Sequence, residues 1–421
     1  MQKKYLRRIA DKALEKALAA TGAVLIEGPK WCGKTRTAMQ KAKSLLSMQD
    51  PDEYSNNIRM AETKPSLLLD GDVPRLLDEW QTAPVLWDAV RYMVDKRGKK
   101  GQFILTGSAV PVDNATLHTG TGRISRLRMR TMSLFESRDS NGQVSLKELF
   151  DGNEDVGCKS ELSIEELAYV LARGGWPASV GESEDAALTS VAAYVEAVVN
   201  YDVSRVDGVE KNPRRVLALL KSYARNVSTM AANSTIAADM SADDGTIAPK
   251  TTATYLNALE RIHVVEDLPA WNPSMRSKTA LRTSAKRHFS DPSIALSVLS
   301  ASSKTLLKDF NTFGLLFESL CVRDLRVYSQ SLGGEVFHYR DKSGLEADAV
   351  VHLKDGRWCA VEVKMGNREI EEAAAHLLKL RAVVNTEKMQ EPSFLMVLSA
   401  GQYAYRRPDG VFVVPIGCLK D

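Results

Sequence analysis

The chain has 421 residues, 44% hydrophobic and 26% charged, the balance of a globular protein with two or three domains and ample core. A net charge of +3 excludes a generally basic nucleic-acid binder, so any basic surface has to be local. Five cysteines without C-x-x-C spacing (Cys32, Cys158, Cys321, Cys359 and Cys418) exclude a disulfide framework and a zinc ribbon, and point to reduced thiols. There is no apolar run of 18 residues, and Met1-Gln-Lys-Lys-Tyr5 lacks the apolar stretch of a signal peptide. The expected location is the cytoplasm, without a membrane partner.

Tyr5 to Ala20 reads as a helix with a partial stripe of Leu6, Ile9, Leu14 and Leu18. Val24-Leu-Ile26 reads as a short buried strand and Thr37 to Leu46 as a helix. Between them lies Gly28-Pro29-Lys30-Trp31-Cys32-Gly33-Lys34-Thr35, which fits G-x-x-x-x-G-K-[ST]. A loop in that setting turns its backbone N–H groups and the helix N-terminus toward phosphate oxygens. Gly28 and Gly33 permit the tight backbone, Lys34 would reach the β and γ phosphates, and Thr35 would bind Mg²⁺. Pro29, Lys30, Trp31, Cys32 and Arg36 complete the expected cradle for ATP.

Gln49 to Ala61 reads as a surface loop and Ser66 to Asp70 as a strand. Val73-Pro-Arg-Leu-Leu-Asp-Glu79 is an apolar strand ending in two acids, about 45 residues after the loop. Asp78 is expected to hold Mg²⁺ through water, and Glu79 to orient and deprotonate the attacking water. A helix, Leu86 to Lys96, leads to a third strand, Gln102-Phe-Ile-Leu-Thr-Gly-Ser108, ending in Thr106 and Ser108, polar groups able to sense the γ-phosphate. Strands alternating with helices imply a parallel sheet with its ligand at the strand C-termini.

These residues, with Gly122-Arg123 and Met132-Ser-Leu-Phe-Glu136, resemble the predicted bacterial and archaeal AAA-type P-loop ATPases that carry a C-terminal domain of unknown function. The resemblance implies ATP hydrolysis with Mg²⁺ and an arginine after the sensor strand. That arginine completes a neighbour's site in a homo-oligomer or senses the nucleotide. Arg123 is the first candidate and Arg126 the second; Arg126, Arg128 and Arg130 also fit the solvated side of a strand.

The middle is read as helical. Ser163 to Ala172 starts at a capping box with Glu166 and stops at Gly174-Gly-Trp-Pro177, to which no role beyond a turn is given. Asp185 to Asp207 and Pro213 to Asn226 follow. Thr229 to Pro273 reads as a winged helix: Thr235 to Ala242, a turn at Asp243-Asp-Gly245, Lys250 to Ile262, then a wing from His263. Lys250, Thr251, Thr252 and Thr254 would face DNA. Arg276, Lys278, Arg282, Lys286 and Arg287 form a cation cluster able to neutralise phosphates; the alternative is an intramolecular packing module.

Thr312 to Tyr328 reads as a helix carrying Glu318. Three antiparallel strands follow, Glu335–Tyr339, Ala347–Leu353 and Trp358–Lys364, then a helix from Glu369 to Val384 and a strand from Ser393 to Leu398. Asp348 and the E-x-K of Glu362-Val-Lys364 resemble the PD-(D/E)xK nuclease superfamily, without its proline. The resemblance implies that Asp348 and Glu362 hold Mg²⁺, Lys364 stabilises charge at the scissile phosphate, and Glu318 adds an acid. A fold turned to binding without cleavage is the alternative.

The expected fold class is α/β: a P-loop NTPase parallel sheet, a helical and winged-helix middle, and a small restriction-endonuclease-like domain. The boundaries are 1–150, 151–225, 226–300 and 301–421. The function expected is an ATPase acting on or regulated by DNA, or else a nucleotide-dependent signalling or defence switch.

Overall fold

The computed structural model describes residues 4–107, 119–206, 208–244, 248–272, 284–384 and 389–421. Its first sheet is wholly parallel, in the order β2-β3-β4-β1-β5, with β1 Ala23–Glu27, β2 Ser44–Ser47, β3 Arg75–Asp78, β4 Phe103–Thr106 and β5 Ile124–Arg128. Alternation along β1 divides its side chains between two cores. Ala23 and Leu25 join Trp80, Trp87 and Val90 on one face, while Val24 and Ile26 join Leu14, Leu18 and Leu127 on the other. Helices α1 (Ile9–Ala20), α2 (Lys34–Met39), α3 (Tyr54–Thr63) and α4 (Val85–Arg97) accompany this sheet.

Four local expectations need correction. The helix expected to Leu46 stops at Met39, because the Leu45-Leu46 segment pairs with Leu76-Leu77 as the edge strand β2. The strand expected at Ser66–Asp70 is a 3-10 turn, Pro65–Leu69, started by proline at its first position, where a fixed φ suits a helical turn. The expected loop after Gln49 contains α3, whose Asn57 and Ala61 are buried. The expected N-terminal helix also begins later, at Ile9, and the residues before it reach the segment after β1 instead, Tyr5 bonding Thr37 and Arg8 the Cys32 carbonyl.

The helical middle holds α5 (Leu134–Ser137), α6 (Leu146–Phe150), α7 (Ile164–Arg173), α8 (Glu184–Ala197), α9 (Val203–Arg205), α10 (Pro213–Arg225), α11 (Asn233–Asp244), α12 (Pro249–Arg261), α13 (Pro292–Val298) and α14 (Ser303–Leu306). A single π-helical turn, Val198–Asp202, joins α8 to α9. The Ser163–Glu166 capping box starts α7, as the sequence indicates. After α12 the chain returns as a ribbon whose antiparallel bridges are Val265 with Phe289 and Leu268 with Lys286.

The last domain joins α15 (Phe310–Ser331), α16 (Ile370–Val383) and a seven-stranded sheet in the order β7-β12-β13-β11-β10-β9-β8. Its strands are β7 Gly157–Lys159, β8 Gly334–Arg340, β9 Glu346–Leu353, β10 Trp358–Lys364, β11 Phe394–Ser399, β12 Tyr403–Arg406 and β13 Phe412–Pro415. The edge strand β7 comes from the segment just before α7, and β6 (Val144–Ser145) pairs with β14 (Leu419–Lys420). One continuous core runs from α7 and α10 through α15 to β10 and β11, so the helical middle and the last sheet share their apolar interior.

Candidate functional site

The Gly28–Thr35 loop leaves the C-terminal end of β1, and the strand beside it constrains its backbone. Gly28 has φ of +153°, and a Cβ there would come 2.0 Å from the Met129 carbonyl oxygen, so only glycine lets the loop pass β5. Gly33, at φ +99°, turns the chain into α2. The Lys34 ammonium is buried and donates to the Gly28 and Pro29 carbonyls at 2.9 and 2.8 Å. It therefore lies along the inner wall of the loop.

Asp78 faces this loop from the end of β3. Its Oδ1 accepts from Thr35 Oγ1 at 2.8 Å and from Thr106 Oγ1 at 2.6 Å. A hydroxyl beside a carboxylate is a hard-oxygen donor set that suits Mg²⁺. Glu79 follows in a left-handed backbone conformation (φ 55°) and accepts from Gln81 Nε2. Ser108, the other expected phosphate sensor, lies outside the described residues.

The loop opens on a cavity of about 1170 Å³. Among the described residues seven cationic side chains line it, Lys4, Arg8 (paired with Glu136), Lys30 (paired with Asp202), Lys34, Arg36, Arg138 and Arg205, with Glu79 as the single lining acid. That charge balance suits a polyanion. One flank is apolar and aromatic. Trp31 and Trp176 both pack on Tyr194 of α8, with ring centroids 5.7 and 4.7 Å apart. Pro177 and Val180 continue this wall, and Tyr5 and Leu6 face the same space. Arg205 of α9 and the Lys30–Asp202 pair, 2.6 Å apart, bring the π-helical turn to the loop.

Sequence reasoning missed these walls. The Gly-Gly-Trp-Pro turn is built, not incidental: Gly175 N donates to Asp291 at 2.9 Å, Trp176 Nε1 donates to Ser293 Oγ at 3.0 Å, and Met132 N donates to the Gly175 carbonyl at 2.7 Å. A tryptophan in a fixed glycine turn was the available signal.

The arginines after β4 separate into two sets. Arg123 precedes Ile124, which pairs with Ala23, so it sits at the N-terminal end of the strands and pairs with Asp95 at 2.9 Å. Five strand residues, about 16 Å, separate that end from Gly28. Arg126 reaches Glu27 at 3.1 Å. Arg128 and Arg130, at the ligand end, converge on Glu266 at 3.6 and 2.7 Å, and Arg326 of α15 donates to the Glu266 carbonyl at 2.8 Å. Against the cost of burial, these arginines hold the Glu266 carboxyl well below the usual range.

The carboxylates of the last domain also converge. Lys286 Nζ lies 2.8 Å from Glu318 Oε1 and 2.9 Å from Asp348 Oδ1. Asp348 Oδ2 accepts from Val363 N at 2.9 Å, and Lys364 Nζ lies 2.9 Å from Glu362 Oε2. Burial first, then Asp348, pushes both Glu318 and Glu362 up to about 8. Among the described residues, no group of three or more His, Cys, Asp or Glu side chains is spaced to hold a metal ion.

The basic cluster is not the surface its sequence suggests. Lys286 is buried among carboxylates, and Arg287 pairs with Asp267 and Asn233, so neither is turned out to bind a phosphate. Arg276, Lys278 and Arg282 lie outside the described residues. On α12, Lys250 and Thr254 are exposed, whereas Thr252 is fully buried against Met240 of α11. Among the described residues, no helix is long and apolar enough to cross a membrane.

Comparison with known proteins matches three stretches of the chain, the second of which spans the expected boundary at 225. Residues 20–137 match an AAA domain, residues 164–305 a domain of unknown function (DUF8612), and residues 313–419 a further domain of unknown function (DUF4143). Uncharacterized proteins of Mycobacterium bovis and Mycobacterium tuberculosis are each 24% identical over 366 residues, covering 85% of this chain and 74% of theirs. A Walker-type ATPase of Pyrococcus abyssi covers 71% of this chain and 99% of its own, at 14% identity and a TM-score of 0.41.

Proposed function

We propose that residues 20–137, similar to an AAA domain, bind ATP with Mg²⁺ and hydrolyse it. The observation that carries this is the convergence of Thr35 and Thr106 on one oxygen of Asp78, with Glu79 lining the same cationic cavity. In this reading Lys34 turns from the loop carbonyls to the β and γ phosphates, and Thr35 and Asp78 hold the ion. Bound Mg²⁺ would neutralise charge on the phosphates. Glu79 takes the proton of the attacking water, and the Tyr5 and Trp176 flank receives the base. Lys34→Ala should abolish ATP binding, while Glu79→Gln should bind ATP and fail to hydrolyse it. Wild-type turnover by Lys34→Ala overturns the assignment.

A second part of the reading treats the nucleotide as a switch. Arg128 and Arg130, beside the phosphate loop, share Glu266 with Arg326 of α15, a direct polar route from the first sheet to the last domain. DNA on α12 is the finer proposal, favoured by the exposure of Lys250 and Thr254. Its test is salt-dependent binding of duplex DNA that weakens in Lys250→Glu and responds to ATP.

A further inference from the structure

We propose that the Lys286 ammonium is the resident cation of the carboxylate centre in the last domain, standing where a divalent ion would otherwise sit. Two oxygens from separate elements, Glu318 of α15 and Asp348 of β9, meet its Nζ at 2.8 and 2.9 Å. Those are hydrogen-bond lengths; Mg²⁺ demands oxygens at about 2.0–2.1 Å and Ca²⁺ at about 2.3–2.6 Å. Both carboxylates are therefore engaged by the ammonium.

Lys286 is not a surface side chain that has wandered in. Its backbone N–H donates to the Leu268 carbonyl at 2.9 Å, and its carbonyl accepts from Leu268 N at 2.8 Å. Its neighbour Arg287 donates to Asp267, and His288 N–H also reaches that carboxylate, at 3.4 Å. The ribbon thus delivers the lysine from the chain segment before α13, across to α15 and β9. Its side chain is 7% exposed. An ammonium so enclosed is retained by the carboxylates that surround it, since removing either partner leaves a buried charge uncompensated.

The remaining members are paired through one oxygen only. Lys364 answers Glu362, while Glu362 Oε1, on a residue only 2% exposed, has no hydrogen-bond partner among the described residues. Three carboxyl groups and two ammonium groups leave one negative charge, which a single proton on Glu318 or Glu362, both pushed up to about 8, cancels without an added divalent ion. A metal entering it would have to expel a lysine fixed by its own backbone. The consequence is a nuclease-like constellation that binds or transmits without cleaving. This inference does not depend on the ATP reading.

The test uses the full chain without nucleotide, in an Asp78→Asn background that removes the phosphate-loop ligand, with Mn²⁺ as the probe followed by calorimetry and electron paramagnetic resonance. The background protein should bind no Mn²⁺ and leave plasmid DNA intact. Adding Lys286→Met should create one Mn²⁺ site per chain, and adding Asp348→Asn to that should remove it. If Lys286→Met unfolds without metal, circular dichroism should show Mn²⁺ restoring the fold. An Asp348-dependent Mn²⁺ site, or Asp348-dependent plasmid cleavage, in protein that still has Lys286 overturns the proposal. So does a Lys286→Met protein, folded or not, that Mn²⁺ neither binds nor restores.

Discussion

The Arg8 guanidinium lies 3.1 Å from the Glu136 carboxylate, with both side chains almost wholly buried. Arg8 also donates to the Cys32 carbonyl at 2.8 Å and to the Arg130 carbonyl at 2.9 Å, so it ties the phosphate loop to the strand extension beyond β5. Glu136 accepts from Ile9 N and Ser133 N at 2.7 and 2.9 Å, capping the starts of α1 and α5. One ion pair therefore holds the loop, the first helix and the exit from the sheet in a fixed relation.

Removing one partner leaves the other charged and buried. Arg8→Met should lower the unfolding free energy by about 3–5 kcal/mol, measured by urea denaturation. The double variant Arg8→Met/Glu136→Met should lose less than the sum of the single losses, because it leaves no lone charge. Additive losses would show that the two groups do not act as a pair.

The aromatic wall predicts how the base is held. Tyr194→Ala removes the ring on which both Trp31 and Trp176 pack. Stacking of a base on an aromatic ring is worth about 1–3 kcal/mol, so ATP affinity should fall by roughly five- to 150-fold. Inorganic tripolyphosphate, which has no base, should compete as well against the variant as against wild type. Equal weakening of both ligands would place the defect in the loop instead.

What the sequence reveals tracks how locally each feature is encoded. The Gly28–Thr35 loop and the Asp78-Glu79 strand end are contiguous, and strand and helix periods around them follow from side-chain alternation, so the parallel sheet is legible. The three strands carrying Asp348 and Glu362 are legible for the same reason. The cavity wall is not, because Trp176 and Tyr194 lie more than 130 residues beyond the loop they face. Lys286 shows the limit most sharply. It reads as one of five surface cations, yet its partners are 32 and 62 residues away, and only folding reveals that it is buried. The edge strand β2 is hidden because only four residues separate it from the short helix α2.

Arg123 carries a prediction that depends on assembly. At the N-terminal end of β5 it is turned away from the phosphate loop of its own chain, and its half-exposed pair with Asp95 contributes at most about 1 kcal/mol. Arg123→Ala should leave ATP turnover unchanged when the protein is diluted to single chains. A role in a neighbour's site would appear only at concentrations where copies associate, as a loss of about tenfold or more, relieved by mixing with Glu79→Gln chains that retain Arg123. Turnover measured against protein concentration, with sedimentation to define the species, checks this. A loss at full dilution would contradict the geometry.

His263 gives the stability of the chain a pH dependence of known sign. It is 3% exposed, adopts φ of 59°, and neither ring nitrogen has a hydrogen-bond partner among the described residues. Burial first, then the charges of Arg128 and Lys34, lowers its pKa from 6.5 to about 3, with Arg130 acting the same way and Glu266 opposing. The folded ring is thus neutral where the unfolded one gains a proton. Its contribution is fully present above about pH 6.5 and is lost progressively as pH falls toward 3. His338, lowered to about 4, and His288, held well below its ordinary value, slope the same way. His263→Asn keeps a residue that tolerates positive φ and does not titrate. Urea denaturation at pH 7.5 and pH 5 should show wild type losing stability with acid, and the variant losing less. An unchanged pH dependence in the variant would mean that His263 ionises in the folded chain as readily as in the unfolded one.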